Sequence, residues 1–451
     1  MQQTTKPIFT NRQLITLLWP LIIEQALSVL VGMADTMMVS SAGEAAISGV
    51  SLVDMINQLI ITIFAALATG GAVVTSQYLG AQKPEDAARS AGQLVALSGL
   101  LGTAVAAFCL LTRTVQLQLF FGSIEEDVMA AALLYFTITA LSFPFLSLYN
   151  AGAAVFRSTG NSAVSMKVSV IVNLINFCGN ALCVYGLKMG VAGVAVPTLV
   201  SRAVGAVIIL ALTARPDYLL RITPRSVTRL ERGTVKRILA IGIPSAYENS
   251  LFQLGRVLVV SMISLFGTVH ISANAVANNL DGVGCIIGNA MCLGMITVVG
   301  RCIGAQDFDQ AISYTKKLLR WDYVAQGLSN AAVLLALNSL LSLYTLSPET
   351  AALSAKLVWI HAGMGILIWP LAFILPNALR AANDVKFTMV VSVVSMLVWR
   401  LAFSQILCVQ LGLGALGVWW AMIIDWVCRT LCFVIRFVSG AWKKNAAKTA
   451  A

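Results

Sequence analysis

Shifted by 224 positions, residues 12–94 align on residues 236–318 without a gap. Pro20 falls on Pro244, Glu24 on Glu248, Gly43 on Gly267, and Ile47-Ser48 on Ile271-Ser272. Gly80-Ala81-Gln82 falls on Gly304-Ala305-Gln306. The repeat lies within long apolar segments, so what recurs is a set of membrane helices. Two such sets related by an internal repeat are a common plan for membrane transporters, with the solute held between similar bundles.

About twelve apolar stretches can be read: 13–39, 46–78, 91–112, 128–153, 163–186, 191–213, 239–266, 272–301, 318–344, 353–379, 387–410 and 415–438. Each exceeds the ~20 residues needed to span hydrocarbon as a helix. Only 11% of the chain is charged, against about 25% in soluble domains. The expected fold is therefore all-α and polytopic, with twelve transmembrane helices in two pseudo-symmetric six-helix lobes. Their expected bounds are 1–213 and 239–451, joined by a cytoplasmic linker, 214–238, rich in arginine. An even number of helices per half makes the repeats parallel.

A net charge of +11 would suggest nucleic acid in a soluble protein, but its distribution excludes that here. With both termini cytoplasmic, 23 of the 30 Lys and Arg residues lie on the cytoplasmic side. Only Arg113, Lys188 and Lys356 lie outside, and Arg202, Arg256, Arg400 and Arg429 lie within helices. This is the positive-inside bias. The expected location is the cytoplasmic membrane, with the chain multi-pass and both termini cytoplasmic. The polar start MQQTTKPIFTNRQ leads into a full span, so no cleaved signal is expected.

The second part of each half repeats less cleanly. Arg157-Ser-Thr-Gly160-Asn161 resembles Arg380-Ala-Ala-Asn383-Asp384 at an offset of 223, and Gly190-Val-Ala-Gly193 resembles Gly414-Ala-Leu-Gly417 at 224. Prolines 20, 144, 197, 244 and 370 fall inside spans, where each frees a carbonyl and permits a bend.

Polar residues inside a membrane are costly and mark function or packing. Glu24 and Asp35 lie eleven residues apart in the first span, which puts both carboxylates on one helix face. Asn173, Asn176 and Asn180 share a face of the fifth. Asp54 and Asn57 in the second span align with Asn278 and Asp281 in the eighth, which also carries Asn274; a polar stripe at equivalent places suggests cavity lining. The second half adds Glu248, Arg256, His361, Arg400, and the i,i+4 pair Asp425 and Arg429, which could neutralise one another. The nine cysteines show no zinc spacing and read as buried thiols.

Together, Pro20 with Ala34-Asp35-Thr36-Met37-Met38-Val39, the Gly80-Ala81-Gln82 turn, and the turns at 157–161 and 380–384 resemble the multidrug and toxic compound extrusion (MATE) family over residues 12–438, looking closest to its poorly characterised bacterial branch. The resemblance implies a V-shaped pair of lobes and efflux of organic, often cationic, compounds in exchange for protons or sodium. Asp35 matches the family's coupling aspartate. Asn176, Asn180 and Thr198 occupy the positions of its Asn, Asp and Thr; Asn180 replaces an acid, which removes one charge and weighs a proton above sodium. Glu248 lies about one turn short of the family's usual helix-7 glutamate, so substrate selection fits it better than coupling. Glu24, Asp54, Asn57, Arg256, Asn278, Asp281, His361 and Arg400 complete the candidates for the cavity.

No nucleotide-binding, metal or catalytic motif is present, so no cofactor and no enzymatic activity are expected. The expected partners are a small organic substrate and membrane lipid, with the chain a monomer. Two other readings stay open: a flippase of lipid-linked substrates, for which cavity arginines would be needed, and an ion channel.

Overall fold

The computed structural model describes residues 7–40, 43–122, 125–344 and 346–447. The outermost residues of both termini, whose side of the membrane the charge pattern addresses, lie outside that set. The described residues are helical and contain no strand.

All twelve apolar segments are helices. In the first half they are α1 (Asn11–Ser40), α2 (Glu44–Gly80), α3 (Pro84–Phe121), α4 (Glu126–Leu141 and Phe143–Ser158), α5 (Ser162–Ala181, ending in a π turn Leu182–Gly186) and α6 (Ala192–Thr213). In the second half they are α7 (Arg232–Ser264), α8 (Thr268–Gly284 and Ile286–Gly304), α9 (Phe308–Leu335), α10 (Pro348–Trp369, a π turn Pro370–Ile374, then Leu375–Ala381), α11 (Val385–Ser395 with π stretches Met396–Ala402 and Gln405–Gln410) and α12 (Ala415–Val438). Eight of the described helices are long and apolar enough to cross a membrane individually, and the two segments of α4, bent by 44°, make a ninth. The remaining three, α7, α9 and α12, hold Glu248, Arg256, Asp322, Asp425 and Arg429.

The repeat is visible in local geometry. Gly43 and Gly267 both adopt positive φ, 106° and 85°, just before α2 and α8; a side chain there would be strained. Gln82 and Gln306, the last residues of the repeated Gly-Ala-Gln, are both left-handed at 57° and 59°. Gly160 (φ 85°) is answered by Asn383 (φ 61°), and asparagine is among the few other residues that visit this region routinely. Both turns close with the same bonds, Asn161 N to Phe156 O and Asp384 N to Leu379 O, each 3.0 Å.

The prolines act as breaks in one span of each half. Pro144 follows the bend of α4, and Pro370 opens the π turn of α10. Pro20, Pro197 and Pro244 sit inside continuous helices. The slip of offset from 223 to 224 also has a structural cause. A π stretch accommodates one residue beyond the α register, and Met396–Ala402 has no counterpart in α5.

Among the described residues, contacts divide the chain into two units, 11–246 and 7–10 with 247–447. In the first, α1 packs on α5, α2 on α3 and α4, and α6 on α4 and α5. Gly70 of α2 comes so close to α7 that a Cβ would lie 2.6 Å from Ile238 O and 3.0 Å from Gly242 N. The polar segment 214–238 docks in this unit: buried Gln93 of α3 donates to Ser226 O (2.8 Å) and Arg229 O (2.6 Å) and accepts from Glu231 N (3.0 Å). In the second unit α8 packs on α9 and α10, and α12 on α10 and α11. Gly255 of α7 admits the tip of Met396 of α11, so these two helices approach closely. Asp384 is clamped by Arg436 at 2.7 and 3.0 Å and by Asn445 at 2.7 Å.

Candidate functional site

In the first unit, one hydrogen-bonded chain joins three helices. Asn180 Nδ2 donates to Asp35 Oδ1 at 2.7 Å, linking α5 to α1. The same nitrogen lies 3.3 Å from Asn176 Oδ1. Asn176 Nδ2 donates to Thr198 Oγ1 of α6 at 3.0 Å, and Thr198 donates to Val194 O at 2.8 Å. The helical spacing of 176 and 180 is what lets one face of α5 carry both links. Asn180 is fully buried, and its Oδ1 has no hydrogen-bond partner. Asn173 bonds Ser169 instead.

Asp54 and Asn57 of α2 bond each other at 3.2 Å, and Tyr135 of α4 donates to Asp54 Oδ1 at 3.1 Å. Arg202 of α6 donates to Ser142 at 2.7 Å. Its charge is near enough to act on Asp35, Asp54 and Tyr135 together.

Glu24, on the same face of α1 as Asp35, also meets α5, but it is engaged elsewhere. Arg157 contacts Glu24 Oε1 at 3.3 Å, and Ser165 donates to Oε2 at 3.0 Å. Its repeat partner Glu248 pairs with Arg380 at 2.7 Å, and Arg380 also bonds Asn377 Oδ1 at 2.8 Å. Arg157 and Arg380 are repeat partners too. Each half thus neutralises the acid of its first span with the arginine closing its fourth.

Two cavities of the second unit lie beside charged residues. One of about 220 Å³ adjoins Glu248, Arg380 and Arg429. The other, about 390 Å³, is lined by Arg256, Asn274, Asn278, Asp281, His361 and Arg400 among others. Here Asp281 Oδ1 meets His361 Nδ1 at 2.7 Å and accepts from Cys285 Sγ at 3.3 Å. Donor atoms of these three side chains lie within 4.8 Å of one another, and the hydrogen bonds within the trio already engage them. Asn278 donates to Asn274 O, and Asn274 Oδ1 accepts from Trp419 Nε1. Asp425 pairs with Arg429 at 2.9 Å and accepts from Ser395; Arg400 lies 3.9 Å away.

Tyr135, as a partner of Asp54, and Asp322 escaped the sequence reading. Asp322 of α9 is fully buried, and neither carboxylate oxygen has a hydrogen-bond partner; Gln326, one turn on, has both amide atoms unpaired. The signal was present in the i, i+4, i+8 spacing of Asp322, Gln326 and Asn330.

A polytopic helical chain in two repeated halves, each with buried charge around its own polar centre, is a membrane transporter by architecture. The family model described as MatE matches residues 20–182 and again 244–406, once per half. The chain belongs to the MATE family. It is 27% identical over 445 residues to the uncharacterized transporter YisQ of Bacillus subtilis, covering 97% of this chain and 96% of that protein. It is 24% identical over 446 residues to the probable multidrug resistance protein NorM of Thermotoga maritima, covering 97% and 94%. Among solved structures, a MATE protein in its bent conformation superposes with a TM-score of 0.87 at 20% identity, covering 97% of each chain. A MOP superfamily transporter from Pyrococcus furiosus gives 0.88 at 20% identity, covering 96% of each. At that identity the likeness is one of fold.

Proposed function

We propose that the chain is a proton-coupled antiporter that exports organic compounds across the cytoplasmic membrane, with Asp35 as the group that takes up the coupling proton. The hydrogen-bonded chain Asp35–Asn180–Asn176–Thr198 carries this reading. The amide turns its NH2, not its oxygen, toward the carboxylate. A sodium ion needs oxygens around it, whereas an ionised carboxylate needs donors. When Asp35 gains a proton it becomes a donor itself. The unpaired Oδ1 of Asn180 then offers an acceptor, reached by turning the amide over. Protonation thereby exchanges one α1–α5 bond for another and gives α1, with Pro20 in its interior, a reason to repack. Linkage requires that substrate binding oppose proton binding to the same degree.

The names of the NorM relatives support a broad organic substrate range, and cationic compounds are what the family implies. The charge bias supports cytoplasmic termini and linker, and the internal repeat supports action as a monomer. Glu248 belongs to substrate selection in this scheme, its carboxylate being held by Arg380 beside a cavity. The flippase alternative draws its support from Arg256 and Arg400 at the larger cavity.

Proteoliposomes with an imposed ΔpH or ΔpNa, applied separately, test the proposal. Export should follow ΔpH alone, and Asp35→Asn should retain substrate binding while losing ΔpH-driven export. Full ΔpH-driven export by Asp35→Asn would remove Asp35 from the mechanism, and a strict sodium requirement would refute the proton.

A further inference from the structure

The larger cavity of the second unit is lined by two arginines, and residues corresponding by the repeat to the Asp35 centre are among those that line it. Under the 224 offset that holds for the first spans and after the π stretch Met396–Ala402, Asp35 falls on Val259, Asn180 on Ser404 and Thr198 on Met422, while Asn176 falls within that stretch, beside Trp399 and Arg400. Val259, Arg400 and Met422 all line the 390 Å³ cavity. Where the first unit has the Asp35 carboxylate the second has an apolar side chain, and a guanidinium stands in the stretch that answers its amides.

Arg400 is the key group. It is 8% exposed, and among the described residues none of its five N–H donors makes a hydrogen bond; Nε is buried without a partner. Its nearest anion, Asp425, sits 3.9 Å away and is already bonded by Arg429 at 2.9 Å and by Ser395. Arg256, exposed at the same cavity, has no hydrogen bond or ion pair among the described residues. Asp281 is occupied by His361 at 2.7 Å. Three arginines thus stand against two carboxylates that are both engaged, leaving at least one surplus positive charge. A buried guanidinium with no hydrogen bond and only a distant, shared carboxylate is costly, and a planar donor fork suits a carboxylate held bidentately.

The walls indicate the rest of the ligand. Phe252, Trp369, Phe373, Trp419 and Trp426 line the cavity. Trp426 adds an indole N–H that is buried and unpaired. The Phe252 ring lies 5.1 Å from Arg400 and 5.6 Å from Arg429, which holds the guanidinium planes beside an aromatic face. The volume is within the roughly 300–1,000 Å³ range of small-molecule sites.

We infer that this cavity binds a flat aromatic carboxylic acid as its monoanion, with Arg400 and Arg256 holding the carboxylate and the tryptophan-rich wall holding the ring. Its export as substrate rests on the transport reading above; its binding does not.

The test is calorimetric titration of the purified full chain in neutral detergent with three isosteric probes: 2-naphthoate, 2-naphthylmethylammonium and 2-naphthalenemethanol. Naphthoate should bind at least tenfold tighter than either of the others. Arg400→Gln should weaken naphthoate at least tenfold and leave the alcohol within twofold, and Arg400→Lys should recover part of the loss. Arg256→Gln, at an exposed position where folding is not at stake, should also weaken naphthoate selectively. Tighter binding of the ammonium probe would overturn the inference, as would naphthoate affinity unchanged within twofold in both glutamine variants. Displacement of naphthoate by phosphatidylglycerol added to the micelles would reassign the site to a lipid headgroup and also overturn it. In proteoliposomes, naphthoate that binds but is not exported under ΔpH would leave the site standing and sink the transport reading.

Discussion

Replacing Glu248 by glutamine leaves Arg380 as an unneutralised charge in the second unit, and its cost can be worked from the contacts. The pair meets at 2.7 Å with side-chain exposures of 8% and 14%. Removing one partner of such a pair costs about 3–5 kcal/mol, most of it the penalty of the stranded charge. Arg380 keeps its 2.8 Å bond to Asn377 and faces a cavity of about 220 Å³, so the lower end, about 3 kcal/mol, applies. In the first unit the corresponding contact is longer, 3.3 Å, and Ser165 shares the carboxylate. Glu24→Gln should therefore cost less, about 1.5–2 kcal/mol, the worth of a hydrogen bond to a charged group. The assay is equilibrium unfolding in mixed micelles of graded SDS fraction, run as a double-mutant cycle with Arg380→Gln. The double variant should be more stable than Arg380→Gln alone, with a coupling of about 2 kcal/mol or more. A coupling below about 0.5 kcal/mol, the value of a surface pair, would refute the claim that these pairs anchor each half.

Three other outcomes follow from the packing and one from the charge pattern. Gly70→Val should lower the thermal unfolding temperature by several degrees or prevent folding, since its side chain would meet the α7 backbone; unchanged melting would contradict the close approach. Gln93→Leu should speed tryptic cleavage at Arg225, Arg229 and Arg232 severalfold, because three bonds to the linker are lost, and cleavage at the wild-type rate would count against it. Asp322→Asn should leave melting unchanged or raise it, given that no partner is lost; a fall of more than a few degrees would show that the carboxylate has one. A cysteine introduced at Arg225 should resist an impermeant thiol reagent applied outside intact cells, once native thiols are controlled for, and labelling there would overturn the orientation.

What was legible in the sequence is what helical periodicity encodes. Asn176 and Asn180 share a face because they are four apart, and the same arithmetic put Glu24 and Asp35 toward α5. The pairing of Glu24 with Arg157 spans 133 residues and that of Glu248 with Arg380 spans 132. No local spacing announces such a contact, although the repeat offered a hint, since both members recur. Tyr135 was unreadable for a different reason: a single tyrosine in an apolar helix has no periodic companion. Asp322, by contrast, had companions at 326 and 330 and was missed because its span reads as too polar to stand out. The linker's polar composition marked a break between spans, but not its attachment to α3, which depends on one buried glutamine.

The π turn ending α5 at Leu182–Gly186 recurs at Gln405–Gln410 in α11, and in both the next turn closes identically, Leu187 N on Leu182 O and Leu411 N on Ile406 O, each 2.9 Å. Such a turn holds one residue beyond the α register, so both halves carry the same excess at the same place. One insertion made in an ancestral half-length gene and then copied accounts for both, where separate events would have had to strike the same turn twice. The backbone break is common to both halves, whereas the side chain at the equivalent position just before it, Asn180 in one and Ser404 in the other, is not. The doubled scaffold is shared, and the chemistry mounted on it belongs to one half alone.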